Sequence, residues 1–239
     1  MIALLQYIHR CFMRSYRYGA PSFIYIAILM LIYSSGPNPV MGSYAFSSSM
    51  LFVAAAAIGC LVMDVEAANQ EMATMLHARS LVRLSGAKLL YAWIFASSLG
   101  LFAVIYPALL GRLERFPYME ELGMASLYHI SLAGLGVSLA GWFTVKLFES
   151  RFYAVLILCT WLALAFGAGG IGNALPEGWS WMTYILPPLQ LTLHALTFYD
   201  ELGTGAKWLP VGAAVVYAAV SATLLLWTLH RRRLDYPGE

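Results

Sequence analysis

Charge is what this sequence has least of. Asp, Glu, Lys and Arg together make up 11% of its 239 residues. Six long runs, 18–63, 89–111, 122–145, 152–176, 178–199 and 208–230, contain none of them. Each is long enough to cross a hydrocarbon layer that needs ~20 helical residues. With 61% hydrophobic residues and a mean hydropathy of +0.71, a water-soluble domain is excluded, because it would expose large apolar patches. Cysteine is scarce as well. Cys11, Cys60 and Cys159 stand in or beside expected helices at no metal-ligand spacing, which excludes a disulfide framework and makes them small apolar packing residues. The first basic residue, Arg10, follows the apolar start instead of preceding it, so no cleavable signal is expected and the N-terminus should be retained.

What is present organises as an all-α polytopic membrane protein of one domain with six transmembrane helices. Ser35-Gly36-Pro37-Asn38-Pro39 divides the longest run into two passes, because two prolines and a glycine stop a helix. The predicted spans are 19–34, 44–63, 89–111, 122–146, 152–170 and 208–230. Trp179, Trp181, Pro187, Pro188, Gln190 and His194 mark 178–199 as an interfacial or re-entrant piece within an extracellular segment, 171–207. Six spans put both termini in the cytoplasm of a multi-pass plasma-membrane protein. They also put eleven of the fourteen basic residues inside, with only Arg112, Arg115 and Lys207 outside.

Two cytoplasmic stretches carry helical patterns. In 1–17, Gln6, Arg10, Arg14 and Arg17 share one helical face, while Met1, Leu5, Ile8, Phe12 and Tyr16 share the other. Such a helix lies in the interface with its apolar side toward lipid and its arginines toward headgroups. Residues 64–88 are too helix-prone for a simple connection. Met72, Met75, Leu76 and Arg79 follow helical spacing, leaving Glu71, Thr74, His77, Arg79 and Arg83 for a partner in water. A solvated loop held on the headgroups is the plainer reading of the same residues.

This order, an interfacial helix, two spans, an acid-bearing cytoplasmic helix, four more spans and a structured outer segment before the last, resembles the permeases of type 2 ABC exporters. Glu71-x-x-Thr74-x-Leu76, Arg79-Ser80 and Gly86-Ala87-Lys88-Leu89-Leu90 are similar to that family's coupling helix and the lysine opening its third span, and Leu186-Pro187-Pro188-Leu189 to its outer helix. The resemblance implies coupling to an ATPase through Glu66, Glu71, Thr74, Leu76, His77, Arg79, Arg83 and Lys88. It also implies a second permease subunit, identical or homologous, and two copies of an ABC ATPase that hold ATP and magnesium. This chain has no Gly-x-x-x-x-Gly-Lys-Ser/Thr loop, so hydrolysis belongs to another polypeptide, and neither a catalytic residue nor a bound cofactor is expected on it. Lipids are expected partners; nucleic acid is not.

Other features carry weaker chemistry. Tyr128 and His129 stand in the fourth span, and an intramembrane ionisable residue is a functional candidate, here for a pathway or lid together with Pro187, Pro188, Gln190 and His194. The run Gly167–Gly172 fits a dinucleotide fingerprint by letters only, since no strand is expected before it. Glu120-Glu121 ahead of His129 is faintly like an intramembrane protease, and 64–88 also fits a scaffold or sensor that recruits another soluble protein. Small residues at four-residue spacing, Ala55 with Gly59, Gly134 with Ser138, Gly136 with Ala140, and Ala214, Ala218 and Ala222, offer close-packing faces. Apolar walls suit amphipathic, peptide or lipid-like cargo better than ions, whose hydration shell they cannot replace.

Overall fold

A computed structural model of the chain describes residues 1–78, 80–145, 147–148, 150–176 and 179–231. Arg79, expected on the coupling segment, lies outside the described residues, as do Lys146, Arg232 and Arg233. The helices are α1 (Ile2–Ser15), α2 (Gly19–Ile32), α3 (Val40–Met63), α4 (Ala68–Ala78), α5 (Leu81–Leu109), α6 (Met119–Ala140), α7 (Arg151–Ala174), α8 (Leu189–Thr197) and α9 (Thr204–Arg231). Two short 3-10 turns, Ser180–Ile185 and Tyr199–Glu201, flank α8.

Five of these, α3, α5, α6, α7 and α9, are long and apolar enough to cross a membrane. The chain is thus a multi-pass membrane protein. The expected first span is the exception. Helix α2 has 14 residues, or ~21 Å at 1.5 Å per residue, against a hydrocarbon thickness of ~30 Å. A sixth crossing is obtained only by taking α1 and α2 as one span bent by 78°. The bend sits at Tyr16, whose φ of 55° closes α1 in the left-handed conformation.

Local chemistry moves several helix boundaries. Pro39 presets an extended entry to α3, which begins at Val40 rather than 44. The Ser80 hydroxyl accepts from the Arg83 N–H at 3.4 Å and starts α5 at Leu81, drawing Arg83 and Lys88 into the helix rather than leaving them in a connection. The Glu121 carboxylate accepts from the Tyr118 N–H at 2.7 Å and opens α6. Gly167–Gly172 is helical, inside α7.

Helix α6 stands at the centre. A Cβ on Gly136 would come within 2.5 Å of the Phe52 carbonyl, and one on Gly59 within 2.9 Å of Ala140 Cβ, so the Ala55/Gly59 and Gly136/Ala140 faces close on each other inside one chain. Helix α5 lies antiparallel to α3. At one end Asn38 N–H donates to the Arg112 carbonyl (3.0 Å) and Glu114 N–H to the Asn38 carbonyl (2.9 Å); at the other, Lys88 reaches Met63. On the far side of α6, α9 is held by Trp142 Nε1 donating to Ser221 Oγ (3.0 Å) and Tyr128 OH to the Lys207 carbonyl (2.6 Å).

Helix α1 departs from the lipid-facing expectation. Ile8 and Phe12 are buried against protein, with the Phe12 ring edge-on to Tyr91 and Phe95 of α5, while Met1 and Tyr16 stay exposed. Arg10, Arg14 and Arg17 are exposed as expected. The end of the bundle bearing α1, α4 and the close of α9 carries most of the described cations and is called the basic face below.

Candidate functional site

Among the described residues the densest polar chemistry is a buried ion cluster at the basic face. Helix α3 ends at Met63, a four-residue link carries Glu66, and α4 returns Glu71 and Thr74 toward the bundle. Two turns into α5, Lys88 meets all of them. Its Nζ donates to the Met63 carbonyl (3.3 Å) and to Glu71 Oε1 (2.8 Å), and lies 2.7 Å from Glu66 Oε2 as an ion pair. Glu66 Oε1 accepts from Thr74 Oγ1 (2.6 Å) and Tyr7 OH (2.8 Å). The Lys88 and Glu66 side chains are 0% exposed and that of Glu71 19%, so this pairing takes place out of water.

A buried ammonium needs partners on every side, and two carboxylates plus a carbonyl supply them. Met63 closes α3, so its carbonyl is one that α3 leaves unpaired, at the negative end of the helix dipole. Burial alone would raise the Glu66 carboxyl; hydrogen bonds and charge from Lys88, with Thr74 and Tyr7, outweigh it and hold the group below the ordinary carboxylate range. Arg17 extends the tie by donating to the Asp64 carbonyl at 2.9 Å. One cation thereby joins α1, α3, α4 and α5.

Of the residues expected to meet a partner, Glu66 and Lys88 instead face inward, because an unsolvated charge must find its counter-charge within the fold. Glu71 and Thr74 point the same way. The outward face of α4 carries two large apolar side chains, Met72 (52% exposed) and Leu76 (75%), beside the exposed Asn69 and Gln70. His77 is exposed too, its Nδ1 2.8 Å from the Ala73 carbonyl, and Arg83 is exposed at the start of α5. Between α1 and α4 runs an open groove of about 600 Å³ lined by Leu4, Tyr7, Gln70, Thr74, His77 and Arg83. Tyr7 is the member that sequence reasoning missed. Its signal was a lone polar tip between the arginine and apolar faces of α1.

Tyr128 and His129 are buried packing groups. His129 Nδ1 lies 2.7 Å from the Ala125 carbonyl and Nε2 2.9 Å from Ser47 Oγ, with Tyr44 edge-on. Glu121 is held by Arg115 through two bonds of 2.8 and 2.6 Å, and Glu120 lies 3.4 Å from Lys207 Nζ. Among the described residues no group of three His, Cys, Asp or Glu side chains is placed to hold a metal ion.

Pro187 and Pro188 separate the 3-10 turn from α8. Gln190 Nε2 donates to the Phe166 carbonyl of α7, whereas His194 packs on Phe198 with ring centroids 4.8 Å apart. Compared with protein-family models, curated proteins and solved structures, the chain matches none.

Proposed function

We propose that this chain is the membrane subunit of an ATP-driven exporter of the type 2 ABC kind, moving an amphipathic peptide, antibiotic or lipid-like substrate out through the plasma membrane. A separate chain binds and hydrolyses ATP with magnesium. The observation that carries the reading is the two-sidedness of α4. Its polar side is tied to Lys88 while Met72 and Leu76 face outward on the basic face, where two large apolar side chains one turn apart need a cover. A push delivered there reaches α5 through Glu71, the end of α3 through Met63, and α1 through Tyr7.

The moving wall in this reading is the exposed edge of α3. Phe46 and Val53 are exposed and Met50 and Ala57 half-buried along one stripe, and α2 and α7 flank it with exposed Phe23, Leu31, Phe152 and Leu156. A second permease copy closes on this uncharged face, forming the cleft through which cargo passes. The bent α1–α2 pair serves as the first of six spans, with both termini cytoplasmic. In this reading the outer segment before the last span is re-entrant; what supports it is the Tyr217 OH of α9 donating to the Ile185 carbonyl (3.0 Å), thirteen residues in from the start of that helix.

The experiment is co-purification from the native membrane in mild detergent. Replacing both Met72 and Leu76 by Glu is expected to release a partner carrying a phosphate-binding loop and to leave the permease monodisperse. Retention of the same partner by that variant overturns the assignment of α4, and a fully active complex without any nucleotide hydrolase overturns the export reading itself.

A further inference from the structure

A cavity of about 340 Å³ opens between α5, α6 and α9, on the side of α6 turned away from α3. At about 100° per residue, Leu127, Ile130 and Gly134 fall opposite His129, Gly136 and Ala140, which pack on α3 and α5. The slot is long and narrow. Its lining runs from Leu127 to Ser138 on α6 and from Val211 to Ala222 on α9, each twelve residues and about 16 Å of helix. Both helices are membrane-crossing, so the slot's long axis follows the direction of an acyl chain.

Its chemistry is hydrocarbon throughout. Ser131 and Ser138 line it, but each donates back to its own helix, to the Tyr128 and Leu135 carbonyls at 3.0 Å. Trp93 Nε1 is engaged by the Ile130 carbonyl at 3.0 Å, which leaves only the indole ring to face the slot. Gly134 makes room for that ring: a Cβ there would sit 3.2 Å from Trp93 Nε1. The hydroxyl and indole hydrogens that line it are therefore all engaged, and none is left to donate to a polar guest.

Basic side chains stand about two turns beyond the slot's lower end, which closes at Leu89 and Ala222. Gly86 of α5 faces Leu226 of α9, and one turn nearer the basic face α5 carries the exposed Arg83, which also borders the α1/α4 groove, and α9 carries the exposed His230 and Arg231. A greasy slot with basic side chains beyond its end, at the level of the headgroups, complements an anionic phospholipid. We infer that the α5/α6/α9 slot is a binding site for one anionic phospholipid, its acyl chain lying against Trp93 and Gly134 and its phosphate between Arg83 and His230. The site lies opposite the α3 edge and does not depend on the transport reading.

The test uses the full-length protein in detergent, titrated with phosphatidylglycerol or phosphatidylcholine brominated at mid-chain, with tryptophan quenching as the signal. Phosphatidylglycerol is expected to quench more strongly and saturably, to be displaced by its unbrominated form, and to lose this excess in Trp93→Phe. Arg83→Gln should weaken the phosphatidylglycerol midpoint about fivefold while leaving phosphatidylcholine unchanged. Ala218→Leu, which fills the slot, should abolish saturable quenching. Equal quenching by both headgroups in the unaltered protein, or an undiminished excess in Trp93→Phe, overturns the site whatever the slot-filling variant does.

Discussion

Lys88 of α5 and Glu66 of the α3–α4 link lie 2.7 Å apart with neither side chain exposed. An ion pair so placed contributes less to net stability than its distance implies, because both partners were stripped of water to form it. Its consequence is positional. Four helices meet at one point, and a displacement of α4 cannot leave α5 behind while the pair holds.

Replacing Lys88 by Met leaves the buried Glu66 carboxylate against an apolar side chain. The loss expected is about 3–5 kcal/mol. In Glu66→Gln/Lys88→Met the buried charge of Glu66 is gone together with its counter-charge, so much of the loss should return. Thermal unfolding of the single and double variants in detergent measures this coupling, and simple additivity of the two changes refutes a shared cluster.

The same cluster sets a pH dependence. The Glu66 carboxyl is held below its ordinary value, so its stabilisation is complete above the unfolded value of ~4.3 and is lost as pH falls through the lower folded value. The melting temperature of the native chain should exceed that of Glu66→Gln at pH 7, and the gap should narrow toward pH 3. A gap that widens in acid contradicts the assignment.

The α3–α6 crossing is glycine-dependent. Gly136→Ala drives a methyl to 2.5 Å from the Phe52 carbonyl, a backbone atom that cannot swing aside, and should destabilise by about 1–3 kcal/mol. Gly123→Ala on the same helix meets nothing within 4 Å and should be neutral or slightly stabilising. Melting curves of this pair of variants separate close packing from helix propensity.

Ser47→Ala removes the partner of His129 Nε2 without touching the second nitrogen, which keeps the Ala125 carbonyl. An unpaired buried nitrogen should cost about 1–3 kcal/mol. Equal stability with and without the Ser47 hydroxyl shows that His129 finds another partner.

The long apolar runs were legible because hydropathy sums along the chain and needs no neighbours. Span ends were less so: Ser80 and Glu121 act through single hydrogen bonds to the backbone, and α5 accordingly begins eight residues before its charge-free run. The small-residue pairs were visible, yet only packing distinguished Gly136, pressed on α3, from Gly134, opened toward the slot.

Composition and hydropathy alone determined that this protein lives in a bilayer and marked the apolar runs that became α3, α5, α6, α7 and α9, since transfer of a helix into hydrocarbon depends on its own side chains, whereas the first expected span became the short α2. Tertiary structure alone decided that Lys88 turns inward to Glu66 and that Tyr7 reaches it from 59 residues away. Residues that distant become partners only when α1, α3, α4 and α5 are packed, and the exclusion of water from their junction is what makes each charge require the other.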